Sequence, residues 1–295
     1  MRRILALAIL LTSITIPAHA DPAPSIAVID MGFNTSLYAN DVVAEACFVE
    51  FSTCPNGKPS MEGAGASVLP AFTSTTLNHG TQMVSVIKAV NPSAKLVLIR
   101  IVGVTNTGLQ LLYTNKAVKM ALDWVVANRA KYNISVVNVS QGGVFPNCTV
   151  PAGTAEDVAA LKTNNVPVIA ATGNNSNHSA MNSIACLPDV VSVGATDNPD
   201  PGITGKAYDK TAKPYIARYS NGDPTVDFYL NGRWYVTNYD GSVKFMAGTS
   251  NSTASLSAWW LLNRKTSFDA TYNSLMATTV PTSNEWLTGR YIALP

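Results

Sequence analysis

The sequence contains few charged residues and hardly any excess of one sign. Only 13% of its 295 residues are charged, and 20 Lys and Arg stand against 18 Asp and Glu. A disordered protein would be richer in charge and poorer in apolar residues, whereas 47% of this chain is hydrophobic. A net charge of +2 gives little attraction to phosphates, so a nucleic-acid binder driven by net charge is also excluded.

Long apolar runs are missing after the N terminus. Residues 2–3 are both arginine, residues 4–16 are mostly apolar, and residues 18–20 have the small-residue pattern of a cleavage site. The pattern predicts a signal peptide over residues 1–20, cleaved near Ala20, because the run is short for a membrane span. We therefore expect a mature protein that is secreted or periplasmic and has no transmembrane segment.

Cysteine is limited to Cys47, Cys54, Cys148 and Cys186. Their spacing includes no C-x₂-C pair, which does not suit zinc, and no metal site is predicted. An even number of cysteines in an exported chain favours two disulfides, for which three pairings are possible. The pairing we expect joins Cys47 to Cys54 across a short loop, and Cys148 to Cys186 between two later loops.

Apolar runs alternate with helical periodicity along the rest of the chain. Short apolar runs predict strands over residues 25–30, 96–102, 134–139, 166–171 and 190–193. Helical spacing predicts helices over residues 81–90, 109–130, 154–163 and 250–263. Residues 41–76 are predicted to be irregular, and residues 205–246 to form loops and antiparallel strands. The alternation predicts an α/β fold with a doubly wound, mainly parallel sheet, helices on both faces, and a single domain over residues 21–295.

Candidates for chemistry are few, because the mature chain keeps only His79 and His178 as imidazole bases. His178 is expected to be a surface loop residue. Asp30 ends a predicted strand, His79 begins a helix, and Ser250 follows a glycine-led turn into a helix. Each residue alone is explained as a cap or a loop residue. Together they follow the order Asp, His, Ser, which is the order in the subtilisin type of serine triad.

Five segments make the chain resemble the subtilisin-like serine peptidases, the S8 subtilases. They are residues 27–32, 78–81, 138–143, 170–174 and 248–250. Each is short enough to occur by chance, but five in the family's order and in matching strand or helix contexts form a specific signal over residues 25–263. The resemblance implies a three-layer, subtilisin-like sandwich.

The resemblance also implies a role for each residue of the site. Ser250 would attack the scissile carbonyl, His79 would move the proton, and Asp30 would orient His79. The Asn174 side chain and the Ser250 N–H would hold the oxyanion. The segment after the third predicted strand would pair with an extended substrate backbone. That segment consists of Ser140, Gln141, Gly142 and Gly143.

The implied function is a secreted serine endopeptidase that cleaves protein or peptide substrates without a cofactor. The chain departs from the family pattern at Met31, where a Ser or Thr is usual, and from Asn251 onward, where Met-Ala is usual. The alternative is a pseudo-protease that keeps the groove as a peptide-binding module. An esterase of the α/β-hydrolase kind is disfavoured, because the sequence has no Gly-x-Ser-x-Gly elbow.

Two further features of the family are not found in the sequence. The first predicted strand starts five residues after the predicted cleavage site, so we expect that folding needs no propeptide or that a separate chaperone or inhibitor chain assists. The helix at residues 81–90 runs directly into Asn91 and Pro92. The calcium-binding loop that follows this helix in the subtilisin type is therefore not expected.

Overall fold

The computed structural model describes residues 22–69, 78–104, 111–112, 114–143, 148–197 and 214–294. The predicted signal peptide lies outside these residues. The strands are β1 (Ser25–Asp30), β2 (Val42–Phe48), β3 (Ser60–Glu62), β4 (Lys95–Arg100), β5 (Gly103–Val104), β6 (Leu111–Leu112), β7 (Ile134–Val139), β8 (Val168–Ala171), β9 (Val191–Asp197), β10 (Tyr215–Ile216), β11 (Phe228–Asn231), β12 (Arg233–Thr237), β13 (Val243–Ala247), β14 (Val280–Ser283) and β15 (Thr288–Tyr291). The helices are α1 (His79–Val90), α2 (Asn115–Asn128), α3 (Thr154–Thr163), α4 (Thr249–Asn263) and α5 (Phe268–Met276).

Most of the described strands form one large sheet. Its order is β14-β15-β11-β9-β8-β7-β1-β4-β2-β3, and β10 pairs with β9. The pairings from β15 through to β2 are all parallel. Antiparallel pairs in this sheet are β2–β3, β14–β15 and β9–β10. The chain adds strands on one side of β1 and then, from β7, on the other, so the order reverses between β1 and β7. This confirms the predicted doubly wound, mainly parallel sheet.

Helices cover both faces of the sheet and complete three layers. α2 and α3 pack on one face through apolar side chains such as Leu122 and Leu161. α1, α4 and α5 pack on the other through side chains such as Met83, Leu256 and Leu275. β1 and β7 are buried along their whole length, as expected of strands covered on both sides.

α4 is buried on almost every side although its first half is rich in hydroxyl groups. A buried polar side chain has to find a partner inside the protein. Ser252 Oγ donates to Leu230 O at 2.9 Å, and Ser257 Oγ donates to Asn138 Oδ1 at 3.1 Å. These bonds tie α4 to β11 and β7.

The prediction that residues 41–76 are irregular was wrong for β2 and β3, whereas residues 49–59 and 63–69 form turns and loops. β2 pairs with β4 and β3 pairs with β2. The apolar pattern of β2 is interrupted by Glu45, a residue that rarely lies in a core. Here Glu45 is buried, because its carboxylate accepts the N–H of Gly65 at 3.1 Å and the hydroxyl of Ser67 at 2.8 Å. Residues 70–76 lie outside the described chain.

Two other predictions need correction. The helix predicted over residues 109–130 begins at Asn115, because the hydroxyl of Thr114 caps it by accepting the N–H of Ala117 at 3.0 Å. β6 precedes this cap, and residues 109–110 lie outside the described chain. Within residues 205–246, β12 and β13 form the expected antiparallel pair, but β11 runs parallel to β9. Residues 205–213 are not described.

Both disulfides join the cysteines as the sequence analysis paired them. Cys47 and Cys54 have a Cα–Cα distance of 5.9 Å and a sequence separation of 7. Cys148 and Cys186 have a Cα–Cα distance of 5.8 Å and a separation of 38. The second disulfide links the segment before α3 to the loop between β8 and β9. It therefore connects two loops that follow neighbouring strands at the carboxyl edge of the sheet.

Removing the Cys148–Cys186 disulfide is expected to destabilise the protein more than removing Cys47–Cys54. The longer loop restricts the unfolded chain more, which gives about 4 kcal/mol against about 2.5 kcal/mol in the chain-entropy relation. Urea unfolding of Cys148→Ser/Cys186→Ser and of Cys47→Ser/Cys54→Ser measures the two losses. Equal losses, or a larger loss for the shorter loop, would contradict this ranking.

Candidate active site

His79 and Asp30 meet at the carboxyl edge of the sheet. His79 Nδ1 lies 2.8 Å from Asp30 Oδ1 and 3.0 Å from Oδ2. Asp30 is fully buried, and the N–H of Met31 donates to its Oδ1 at 2.7 Å. A buried carboxylate beside Nδ1 favours the tautomer that carries its proton on that nitrogen. His79 Nε2 is then the nitrogen able to accept a proton.

A close backbone approach at Gly80 brings α1 against the turn that follows β1. A Cβ atom on Gly80 would lie 2.4 Å from Gly32 O and 2.9 Å from Phe33 Cε1. Asn34 N–H also donates to Thr81 Oγ1 at 3.0 Å, which ties the same turn to the start of the helix. A residue larger than glycine would push α1, and His79 with it, away from β1.

Ser250 is the second residue of α4, which begins after Gly248. Its N–H belongs to the first helical turn, where N–H groups lack intrahelical acceptors and the helix dipole is positive. The Ser250 hydroxyl donates to Ser140 O at 3.4 Å, and Ser140 Oγ donates to Ser250 O at 3.4 Å. Among the described residues no hydrogen bond joins Ser250 to His79.

Asn174 lies next to the start of α4, after β8. Its Oδ1 accepts the N–H of Thr249 at 2.9 Å and the hydroxyl of Thr249 at 3.0 Å. The same hydroxyl accepts the N–H of Gly173 at 3.2 Å. Because Oδ1 is engaged by Thr249, the amide nitrogen of Asn174 is turned away from these bonds, and within the described residues it donates no hydrogen bond.

The loop that carries Asn174 is held by a buried asparagine from a distant part of the chain. Asn221 is fully buried, and its Oδ1 accepts the backbone N–H groups of Asn175 at 2.8 Å and Asn177 at 3.0 Å. Its own N–H donates to Gly173 O at 2.8 Å. Gly173 has a φ of +104°, a conformation that L side chains rarely adopt. The position of Asn174 therefore depends on Asn221 and on the backbone freedom of Gly173.

The segment of residues 140–143 follows β7 at the same edge of the sheet. Gln141, Gly142 and Gly143 are half-buried. A Cβ atom on Gly142 would lie 3.1 Å from Asn182 Cβ, so the absence of a side chain lets the loop before β9 pack closely. Gly143 O accepts the N–H of Ser183 at 3.1 Å.

The side chain of Gln141 turns toward the Asp30–His79 pair. Its Nε2 donates to Asp30 Oδ1 at 3.0 Å and lies 3.0 Å from His79 Nδ1. Sequence reasoning placed Gln141 in a segment that would pair with substrate through its backbone, so it gave the side chain no role.

A buried arginine lies on the strand beside Asp30. Arg100 is paired in register with Asp30 and is fully buried. Its Nε donates to Val102 O and its Nη1 to Val68 O, both at 3.0 Å. Burial lowers the pKa of Arg100 to about 10, so the guanidinium stays charged at neutral pH. It places a positive charge on the strand next to the carboxylate.

His178 and Asn251 do not contact the Asp30–His79 pair. His178 stacks on Trp286, with ring centroids 4.3 Å apart, and its Nε2 is 3.4 Å from Arg218 O. Asn251, one of the family departures, is fully buried and donates through Nδ2 to Gly232 O at 2.9 Å and Met246 O at 3.1 Å. Asn251 therefore joins α4 to the ends of the β12–β13 hairpin.

The described part of the chain has neither a metal-ion cluster nor a membrane-spanning helix. No group of three or more His, Cys, Asp or Glu side chains there could hold a metal ion. None of the helices described there combines the length and the apolar character needed to cross a bilayer.

Sequence reasoning missed three residues that shape the site. Thr249 was noted only as part of the Gly-Thr-Ser segment, although its position beside Ser250 could have suggested a bond to a neighbouring loop. Arg100 is the one charged residue in the apolar run of residues 96–102, and this could have indicated a buried cation near the site. Asn221 gave no signal, because its partners are more than 40 residues away in the chain.

Comparison with known proteins supplies the family. A curated relative is a cuticle-degrading serine protease from Arthrobotrys oligospora, 25% identical over 240 residues. The match covers 78% of this chain and 52% of the relative, so the chain spans about half of that protein's length.

Solved structures share the fold at low sequence identity. A cold-adapted subtilisin-like serine proteinase is 20% identical, with a TM-score of 0.66 over 93% of this chain and 90% of its own. Sphericase is 18% identical, with a TM-score of 0.67 over 89% of this chain and 86% of its own. The sequence matches the Peptidase S8 subtilase family over residues 21–286, which is most of the chain. The chain therefore belongs to the subtilase family.

Proposed function

We propose that the protein is a serine endopeptidase that hydrolyses peptide bonds through an acyl-enzyme on Ser250. The observation that carries the proposal is the convergence of separate elements at one edge of the sheet. The Asp30–His79 pair joins the end of β1 to the start of α1, Ser140 follows β7 and contacts Ser250, and Asn174 follows β8 and contacts the start of α4. Subtilase membership and the name of the curated relative support the same chemistry.

Each group has a defined role in the proposed reaction. Ser250 Oγ attacks the scissile carbonyl while His79 Nε2 takes its proton, and His79 later gives that proton to the leaving amine. Asp30 holds the imidazole and stabilises its cation. The 3.4 Å bond from the Ser250 hydroxyl to Ser140 O is long, and the hydroxyl exchanges it for His79 Nε2 when substrate enters.

The oxyanion is held by two donors at the start of α4. The carbonyl oxygen becomes negative only as the tetrahedral intermediate forms, so a fixed donor at that point lowers the barrier. Asn174 offers its amide nitrogen because Thr249 engages the amide oxygen. The N–H of Ser250 is the second donor, and the positive end of the helix adds to it.

The substrates are proteins or peptides in an extended conformation. Residues 140–143 pair with the substrate backbone as an added strand. Residues 1–20 act as a signal peptide, and residues 21–295 form one secreted or periplasmic catalytic domain. The two disulfides support an oxidising location.

A serine-directed fluorophosphonate probe tests the proposal. The wild-type protein is expected to be labelled on Ser250, because only a serine activated by a base reacts with such a probe. Mass spectrometry of the labelled peptide locates the site, and His79→Ala is expected to lose the label. Cleavage of a peptide library by the same preparation then measures turnover and side-chain preference.

The alternative of a peptide-binding pseudo-protease predicts a different result. It would bind extended peptides at the groove but take no label and release no product. Peptide binding without labelling would therefore replace the proposed function with that alternative. Labelling of a serine other than Ser250 would contradict the proposed nucleophile.

A further inference from the structure

Asp30 depends on a small set of donors, because it is fully buried. Oδ1 accepts from the N–H of Met31 at 2.7 Å, lies 2.8 Å from His79 Nδ1, and accepts from Gln141 Nε2 at 3.0 Å. Oδ2 lies 3.0 Å from His79 Nδ1. Met31 has no hydroxyl, so it contributes only its backbone. In the described chain, Gln141 and His79 are the two side chains that bond to this carboxylate.

The chemistry of these groups fixes the nature of the contacts. A carboxylate only accepts hydrogen bonds, and the amide nitrogen of Gln141 only donates. The bond from Gln141 to Asp30 is therefore a charge-assisted hydrogen bond, which is stronger than a bond between neutral groups. When Nδ1 of His79 carries its proton, the imidazole and the amide both direct an N–H at Asp30 Oδ1.

Two of these donors hold Oδ1 from outside the Asp30–His79 pair. Met31 holds it through the backbone at the end of β1, and Gln141 holds it from the segment after β7. Rotation of the carboxylate about its Cβ–Cγ bond would stretch one or both of these bonds. The carboxylate is thereby kept in the orientation in which both oxygens face His79 Nδ1.

We infer that Gln141 is a positioning residue that acts on the reaction through Asp30. The inference rests on the proposed serine peptidase function. The backbone of Gln141 belongs to the segment proposed to pair with substrate, while its side chain fixes the carboxylate that orients the general base. Gln141 thus connects the substrate strand to the catalytic pair.

The test measures the coupling between Gln141 and Asp30. Gln141→Met keeps the length of the side chain and removes its donor. It is expected to lower kcat by about 10-fold and to change KM by less than about twofold. In an Asp30→Ala background the same substitution should change the residual kcat by less than about twofold, because the carboxylate that it positions is gone. Gln141→Leu, measured in the same way, should give the same coupling.

A matched control is available on α1. Gln82 is a buried glutamine three residues after His79, and its Nε2 donates to Asn238 Oδ1 at 2.7 Å. Gln82→Met is expected to leave kcat unchanged, since its amide bonds to a residue outside the catalytic pair. Thermal unfolding of all variants shows how much stability each change costs.

Each other outcome overturns the inference in a recognisable way. A rise in KM that persists in the Asp30→Ala background would make Gln141 a substrate contact. Equal losses of kcat in both backgrounds would make its role purely structural. A wild-type protein that takes no fluorophosphonate label and cleaves no peptide would overturn the proposed function, and this inference with it.

Discussion

Replacing Ser250 with alanine is expected to lower kcat for peptide hydrolysis by about 10⁶-fold while the protein remains folded. The substitution removes one oxygen atom, the proposed nucleophile. The one described hydrogen bond of this oxygen is to the backbone carbonyl of Ser140. His79→Ala should cost about as much, because a serine without its base is a weak nucleophile. The measurement is cleavage of a peptide substrate, with thermal unfolding to show that the fold is retained.

The double variant separates a triad from independent contributions. Triad members act as a unit, so Ser250→Ala/His79→Ala should be little worse than either single variant. Ser252→Ala is the matched control, because it removes a buried hydroxyl two residues along the same helix, where the bond is to Leu230 O at 2.9 Å. It should cost about 1 kcal/mol of unfolding free energy and leave kcat unchanged. Full activity in Ser250→Ala would end the proposed mechanism.

Replacing Asn174 with leucine is expected to lower kcat by about 10²–10³-fold with KM nearly unchanged. The donor acts on charge that develops in the transition state, and it has little to bind in the ground state. Leucine is close in size to asparagine. The result is read from steady-state kinetics on a single peptide substrate.

A second substitution separates the donor from the scaffold. Asn174→Leu also removes the oxygen that accepts from Thr249, whereas Asn174→Asp keeps an acceptor there but replaces the donor with a negatively charged oxygen. Both variants should therefore lose kcat, and the aspartate should retain more of the stability. Asn177→Leu, in the same loop, is the control expected to keep its rate. A large rise in KM with kcat spared would instead assign Asn174 to substrate binding.

The sequence by itself determined the central strands of the sheet and the identity of the family. Apolar runs such as β1 and β7 can be recognised from the sequence alone, because a strand covered on both faces needs mostly apolar side chains. The family segments are equally local. A histidine at a helix start and a serine after a glycine-led turn are motifs of a few residues. The disulfide pairing was also predicted, although three pairings were possible on spacing alone.

Tertiary structure decided the elements whose stability comes from distant partners. β2 lies in a segment rich in Gly, Ser and Pro that was predicted to be irregular, and the burial of Glu45 within it depends on a loop some twenty residues away. The parallel pairing of β11 with β9 likewise has no local signal. The partner of a strand depends on packing across the whole sheet, so the residue pattern within one strand does not predict which strand lies beside it.

The side chains that tune the candidate site were also beyond the sequence. Gln141 and Asn221 act through hydrogen bonds to residues that lie far away in the chain. A polar side chain buried by folding must find a partner, but only the packed structure determines which donor meets which acceptor. Sequence therefore identified the proposed catalytic groups, whereas the folded arrangement decided which residues hold them in place.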